Sequence, residues 1–226
     1  MRKFFISLLV ILSLATSSYA SPCYGTKMPE KKGIFLGLQN HALFKRYLKD
    51  YYGKFRSMQN FLLLSYGVFD WLSIDLKGGV GNIKQHPEGS SEMVYPSFMG
   101  GGYGFRLKFL DWEKTKMVFG FQHISVHPHT IFIGPVKHKA VLDDWQFSLL
   151  GSYSFKMITP YLGTKWSRAD YIHWTDGERK LEKSDLTRSV GLVFGFDVPL
   201  AKNLWLNLEG QFFDSEAAAF SLNYAF

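Results

Sequence analysis

Ala217-Ala-Ala-Phe-Ser-Leu-Asn-Tyr-Ala-Phe226 closes the sequence, and its side chains fall on two alternating faces. Ala218, Phe220, Leu222, Tyr224 and Phe226 share one face; Ala217, Ala219, Ser221, Asn223 and Ala225 share the other. A period of two marks a β-strand, here with one face in an apolar medium and the other in a tight or wet interior. The carboxylate after Phe226 needs water while the ring needs apolar surroundings, and a membrane interface offers both.

At the other end Met1-Arg-Lys is followed by the apolar run from Phe4 to Ala15 and then by Thr16-Ser-Ser-Tyr-Ala20. A charged start, a short apolar core and small residues at Ser18 and Ala20 predict a secretory signal peptide over residues 1–20. The apolar run is shorter than a membrane-spanning helix requires. The mature chain is then a short periplasmic segment, 21–32, followed by one domain over 33–226. Losing Arg2 and Lys3 lowers the formal charge from +7 to +5. The single cysteine, Cys23, cannot form an internal disulfide, so the fold must hold without a covalent staple in an oxidising compartment. Pro22 is a poor match for the small residue that precedes a lipidated cysteine, so a free thiol is expected.

Aromatic residues make up 17% of the chain, there are 21 glycines, and the mean hydropathy is near zero. A chain whose apolar and polar residues simply alternate shows such an average even when one face meets lipid. Ten candidate strands follow, at about 33–42, 59–69, 71–84, 96–110, 115–127, 141–155, 157–173, 186–199, 203–213 and 217–226. Their connections alternate between long, as at 43–58, 85–95, 128–140 and 174–185, and short, as at Phe69-Asp70-Trp71 and Pro199-Leu-Ala-Lys202. Long loops on one side and tight turns on the other are the pattern of a transmembrane barrel.

The terminal strand resembles the C-terminal signature strand of bacterial outer-membrane β-barrels, which ends in Phe and is read by the barrel-insertion machinery. The resemblance implies an all-β fold, a closed antiparallel transmembrane β-barrel of about ten strands, with eight or twelve as alternatives. It implies the Gram-negative outer membrane as location, its lipid and lipopolysaccharide as partners, and Phe220, Leu222, Tyr224 and Phe226 as the assembly signal. Facing can then be read strand by strand. Trp145, Phe147, Leu149, Gly151, Tyr153 and Phe155 face lipid, opposite Asp144, Gln146, Ser148, Leu150, Ser152 and Ser154. Val190, Leu192, Phe194, Phe196 and Val198 do the same in the eighth strand.

Inward positions collect Asp75, Lys77, Arg106, Lys108, Asp144, Lys165, Asp197 and Glu209. Isolated ions in a confined interior are costly, so these charges are expected to pair within a narrow, side-chain-filled lumen. A narrow conduit for small solutes is the alternative, because eight strands are just filled by side chains and sixteen leave a channel. The first outer loop carries Lys45, Arg46, Lys49, Lys54 and Arg56 among aromatics, a rim that can meet lipopolysaccharide phosphates or stand as an ordinary solvated loop. Nucleic-acid binding fits neither the compartment nor the scattered charge.

Phe119-Gly-Phe-Gln-His-Ile-Ser-Val-His-Pro-His129 places His123 and Ser125 on the lipid-facing parity. Symmetric closure of the next hairpin sets Asp143 beside Ser125. A histidine, a hydroxyl and a carboxylate are the set that activates a serine against an ester. The His-x-Ser stretch resembles that of outer-membrane lipid A deacylases, which implies catalytic roles for His123 and Ser125. Val126 stands where that family usually has Asn, and Asp143 where it supplies a glutamate. The plainer reading is that His123, Ser125, His127 and His129 are interfacial polar residues closing a strand. Pro128 breaks the spacing a three-histidine metal site needs. No nucleotide motif occurs, and neither a metal nor a cofactor is expected.

Overall fold

A computed structural model of the chain describes residues 22–50 and 52–226, so the signal-peptide reading of residues 1–20 lies outside the described residues. In chain order the strands are β1 (Ile34–Tyr47), β2 (Lys54–Phe69), β3 (Leu72–His86), β4 (Met93–Trp112), β5 (Thr115–His127) and β6 (Ile131–Ile133). They continue as β7 (Val136–Tyr153), β8 (Thr159–Thr175), β9 (Glu178–Lys183), β10 (Val190–Ala201), β11 (Leu204–Phe212) and β12 (Glu216–Ala225). Ten of the twelve form the barrel wall, each antiparallel to its neighbours, and the ring closes through β7 on β8 and β1 on β12. Closure leaves no unpaired edge, the condition for a sheet in hydrocarbon. The short strands β6 and β9 pair only with β7 and β8 and extend those hairpins outward.

Alternation of burial runs almost unbroken along the wall, most clearly in β2, where residues from Phe55 to Gly67 alternate buried and exposed. Outward-facing Phe147, Leu149, Phe194 and Phe220 are exposed, whereas inward-facing Gln146, Ser148, Val193 and Ser221 are buried. Trp71, Trp112, Tyr153, Phe155, Tyr224 and Phe226 are all exposed at the short-turn end, an aromatic girdle of the kind that marks a membrane interface. In β12 the side chains of Phe220, Leu222 and Tyr224 project outward while the backbone closes the barrel on β1.

Two expectations change. The segment 43–58 is not one long loop: β1 continues to Tyr47 and β2 resumes at Lys54. Likewise β6 and the start of β7 occupy 128–140, and β9 lies within 174–185. Hairpin pairing persists above the membrane because the ladder needs only a partner strand, not lipid.

The second change concerns the segment 21–32, expected to be periplasmic, of which residues 22–32 are described. Residues 22–26 are buried inside the barrel, and the chain returns to the turn end only at Glu30–Gly33. There Lys32 N–H donates to Gly67 O at 2.7 Å and Lys31 N–H to Asp70 Oδ1 at 2.9 Å. Polar side chains on the inner wall offer this segment the hydrogen bonds that its backbone needs away from water.

Candidate functional site

The interior is a hydrogen-bonded stack with the N-terminal segment as its axis. Pro22 O accepts from Gln122 Nε2 at 2.8 Å, and Cys23 N–H donates to Glu209 Oε1 at 2.7 Å. Cys23 Sγ lies 3.0 Å from Gln146 Nε2. Thr26 Oγ1 donates to Ser152 Oγ at 2.5 Å, and Lys27 O accepts from Arg106 at 2.8 Å. These partners sit on β4, β5, β7 and β11, so the segment is tied to several parts of the wall. Tyr24 and Gly25 both take positive φ, 68° and 66°, which turns the chain sharply inside the barrel. The Tyr24 ring is held beneath cations, with Lys77 Nζ 4.2 Å and the Arg106 guanidinium 5.5 Å from its centroid.

Most of the inward charges expected from the sequence take part. Asp75 receives Arg106 at 2.9 and 3.0 Å through two nitrogens and Ser65 at 2.5 Å. Such a bidentate pair satisfies both carboxylate oxygens. Lys77 donates to Gln122 Oε1 at 3.0 Å. Asp197 accepts from Asn207 at 2.8 Å, and Glu209 accepts from Tyr161 at 2.9 Å and Gln211 at 2.5 Å. Asp144 lines the same small cavity as His41 and Arg46. Lys108 departs from the expectation: its side chain pairs with Asp111 at the turn end.

Two members of the stack were missed. Asp214, fully buried, pairs with Lys165 at 2.9 Å and Arg46 at 3.2 Å, and Ser167 donates to it at 2.5 Å. Arg46 was expected at the outer rim against lipopolysaccharide, but it is only 2% exposed. The register shifts between Leu43 and Lys45 against β12, and between Leu43 and Arg46 against β2. That bulge swaps the parity and turns Arg46 into the barrel. Gly191 makes room for this site, since a Cβ there would fall 2.0 Å from Asp214 Oδ1.

Packing is close. Three cavities lined by interior residues, beside His41 and Arg46, beside Tyr24 and Asn223, and beside Cys23 and Gln122, each hold about 10 Å³. That is room for about one water molecule. A wider recess of about 190 Å³ opens at the turn end between Lys27, Lys116, Asp197 and Trp205.

Of the other rim bases, Lys45 pairs with Glu216 at 3.2 Å, Lys49 with Asp50 at 3.6 Å, and Arg56 binds Glu92 through two contacts of 2.9 and 2.6 Å. Lys54 is exposed at the start of β2.

On the lipid-facing side, β5 and β7 pair with Ser125 opposite Asp143 and His123 opposite Trp145, as symmetric closure of the hairpin predicts. His123 Nε2 lies 3.8 Å from Asp143 Oδ1, and its ring packs on Trp145 with centroids 4.1 Å apart. Ser125 Oγ, however, is 2.8 Å from His127 Nε2. The hydroxyl therefore has a histidine partner, but a different one from the expected His123. Next along the row, Asp170 opposes Asp143 and receives Arg168 at 2.8 Å. His129 stacks on Phe98 at 4.3 Å, away from the other two histidines. Among the described residues no group of three or more His, Cys, Asp or Glu is arranged to hold a metal ion.

A family model described as Chlamydia major outer membrane protein matches residues 135–179, which cover β7 and β8 and run into β9. No curated protein matches the chain. Among solved structures, the translocator domain of the autotransporter NalP from Neisseria meningitidis aligns with a TM-score of 0.45 at 10% identity, over 86% of this chain and 87% of that one. The transport unit of the autotransporter AIDA-I from Escherichia coli gives 0.45 at 12% identity, over 97% and 96%. The attachment invasion locus protein Ail of Yersinia pestis gives 0.42 at 9% identity, over 86% and 99%. With a closed wall, an apolar outer face, an aromatic girdle and this family match, the chain is an outer-membrane β-barrel protein.

Proposed function

We propose that this barrel is sealed and acts through its surfaces, in a structural or surface-interaction role, and not as an open pore. The observation that carries the reading is the N-terminal segment bound along the lumen, with interior cavities of about 10 Å³ beside it. Ions and solutes need a continuous aqueous path, and single-water cavities do not supply one. On this reading the exposed bases Lys49, Lys54 and Arg56 meet lipopolysaccharide phosphates at the rim, and the outward residues of β12 with Phe226 serve the insertion machinery. Purified barrel in planar bilayers is expected to give no steady conductance; stable openings would favour the pore reading instead.

A second reading is supported by one observation: a serine–histidine contact of 2.8 Å beside a histidine–aspartate approach of 3.8 Å, both on the lipid-facing wall. That is the chemistry of an ester hydrolase acting on outer-leaflet lipid, with Ser125 as nucleophile, His127 next to its hydroxyl, and His123 with Asp143 alongside. Fatty-acid release from lipid A by the purified barrel, lost in Ser125→Ala with folding retained, would establish it. No release from the native barrel would remove it.

A further inference from the structure

We infer that the wall formed by β12, β1, β2 and β3 is a self-association surface for a second copy of this chain, centred on the Asn40–Asn60 pair. Asn40 and Asn60 stand opposite each other in register, and Asn40 Nδ2 donates to Asn60 Oδ1 at 2.7 Å. Both side chains face outward. Asn40 follows outward-facing Leu38 on its strand and stands opposite outward-facing Phe220 on β12, and Asn60 lies between exposed Met58 and Leu62, so the pair sits within the apolar band.

One hydrogen bond does not satisfy two amides. Each amide has a carbonyl and two N–H groups, so Asn40 Oδ1 and the Asn60 N–H groups remain open on the lipid side. Hydrocarbon has no group to offer them, and an acyl chain laid against the wall leaves them as they are. The occupant must therefore bring donors and acceptors to this depth. A second copy does so automatically, because every copy crosses the membrane in one orientation and a two-fold axis along the membrane normal keeps identical residues at identical depth. Its Asn60 N–H groups would meet the first copy's Asn40 Oδ1, and the reverse.

The shape fits the same partner. A groove of about 420 Å³ runs beside the pair, lined by Leu38, Leu62, Gly78 and Phe220. Leu38 and Leu62 project from it, 64% and 53% exposed, while a Cβ added at Gly78 would meet nothing within 4 Å. Protruding leucines beside a glycine hollow are self-complementary under two-fold rotation, and small residues with polar side chains are what bring membrane segments together.

The test uses the full barrel in outer membranes, with Cys23→Ser removing the native thiol. A Leu38→Cys variant treated with a short bis-maleimide is expected to give a cross-linked dimer. Phe147→Cys, five strands away on the opposite wall, is expected to give none. Combining Asn40→Leu and Asn60→Leu with Leu38→Cys should lower the dimer yield about tenfold or more with heat-modifiable folding intact. Should that variant fold poorly, Gly78→Trp fills the hollow from a position with free space and is expected to block cross-linking in a folded barrel. Equal yields at positions 38 and 147, a yield indifferent to both the Asn and Gly78 changes, or a monomer carrying a different protein or lipid on this wall would overturn the inference.

Discussion

The lumen and the lipid-facing wall are built from the same strands by the same alternation, yet they handle polar groups in opposite ways. Inside, Asp75, Asp214 and Glu209 each collect two or more partners within about hydrogen-bond distance, and the N-terminal segment supplies some of them. Outside, among the described residues, the polar side chains that contact one another gather at the Asn40–Asn60 pair and along the arc from His127 and Ser125 to Asp143, Asp170 and Arg168. The interior is where charge stabilises the barrel. The wall is where polar groups stand apart from the needs of folding, and so it is where interaction or chemistry is to be sought.

Removing the most connected acid should break this contrast most. Asp214→Ala leaves Arg46 and Lys165 buried without their shared carboxylate, a loss expected to cost about 3–5 kcal/mol in urea unfolding from lipid vesicles. Glu209→Ala should come next, at about 2–3 kcal/mol, because Cys23 N–H and the Tyr161 hydroxyl lose their acceptor. It should also loosen the segment enough for ion conductance to appear. On the wall, Ser125→Ala is expected to change stability by under about 1 kcal/mol, since the hydroxyl is part-exposed and its side-chain partner among the described residues is His127. If interior and wall substitutions proved equally costly, the contrast would fail.

The smallest effect belongs to the outer rim. Hydrogen bonding from Arg56 holds the Glu92 carboxyl below its ordinary value. A depressed carboxylate contributes stability that is present above its unfolded value, about pH 4.3, and is lost as pH falls through the folded one. Half-exposed Arg56 limits this to about 0–1 kcal/mol. The stability difference between wild type and Arg56→Ala should therefore be constant from neutral pH down to about 5 and disappear on further acidification.

Much of the barrel was legible because alternation fixes facing: β7 and β10 present the residues their parity assigns, and the pairing of Ser125 with Asp143 follows from hairpin symmetry alone. What escaped the sequence reading did so for local reasons. Arg46 was misplaced because a bulge after Leu43 exchanges the faces of β1, and a one-residue slip leaves no mark in composition. Asp214 sits in the tight turn Asp214-Ser-Glu216, where parity no longer applies. The Pro22–Thr26 stretch has no period because it pairs with no strand; its partners are side chains on several strands, which only the closed fold brings together. Ser125 found His127 in place of His123 because both neighbours lie two residues away on one face, and spacing alone does not choose between them.

Cys23 is a built-in reporter on the central claim that the N-terminal segment fills the lumen. The residue is 4% exposed, with its thiol between Gln146 and Gln211, beside a cavity that admits about one water. Treating the folded barrel with a small maleimide and weighing the product by intact-mass spectrometry measures that accessibility directly. The account predicts no labelling in the folded barrel and complete labelling after heat unfolding in detergent; rapid, stoichiometric labelling of the folded protein would contradict it.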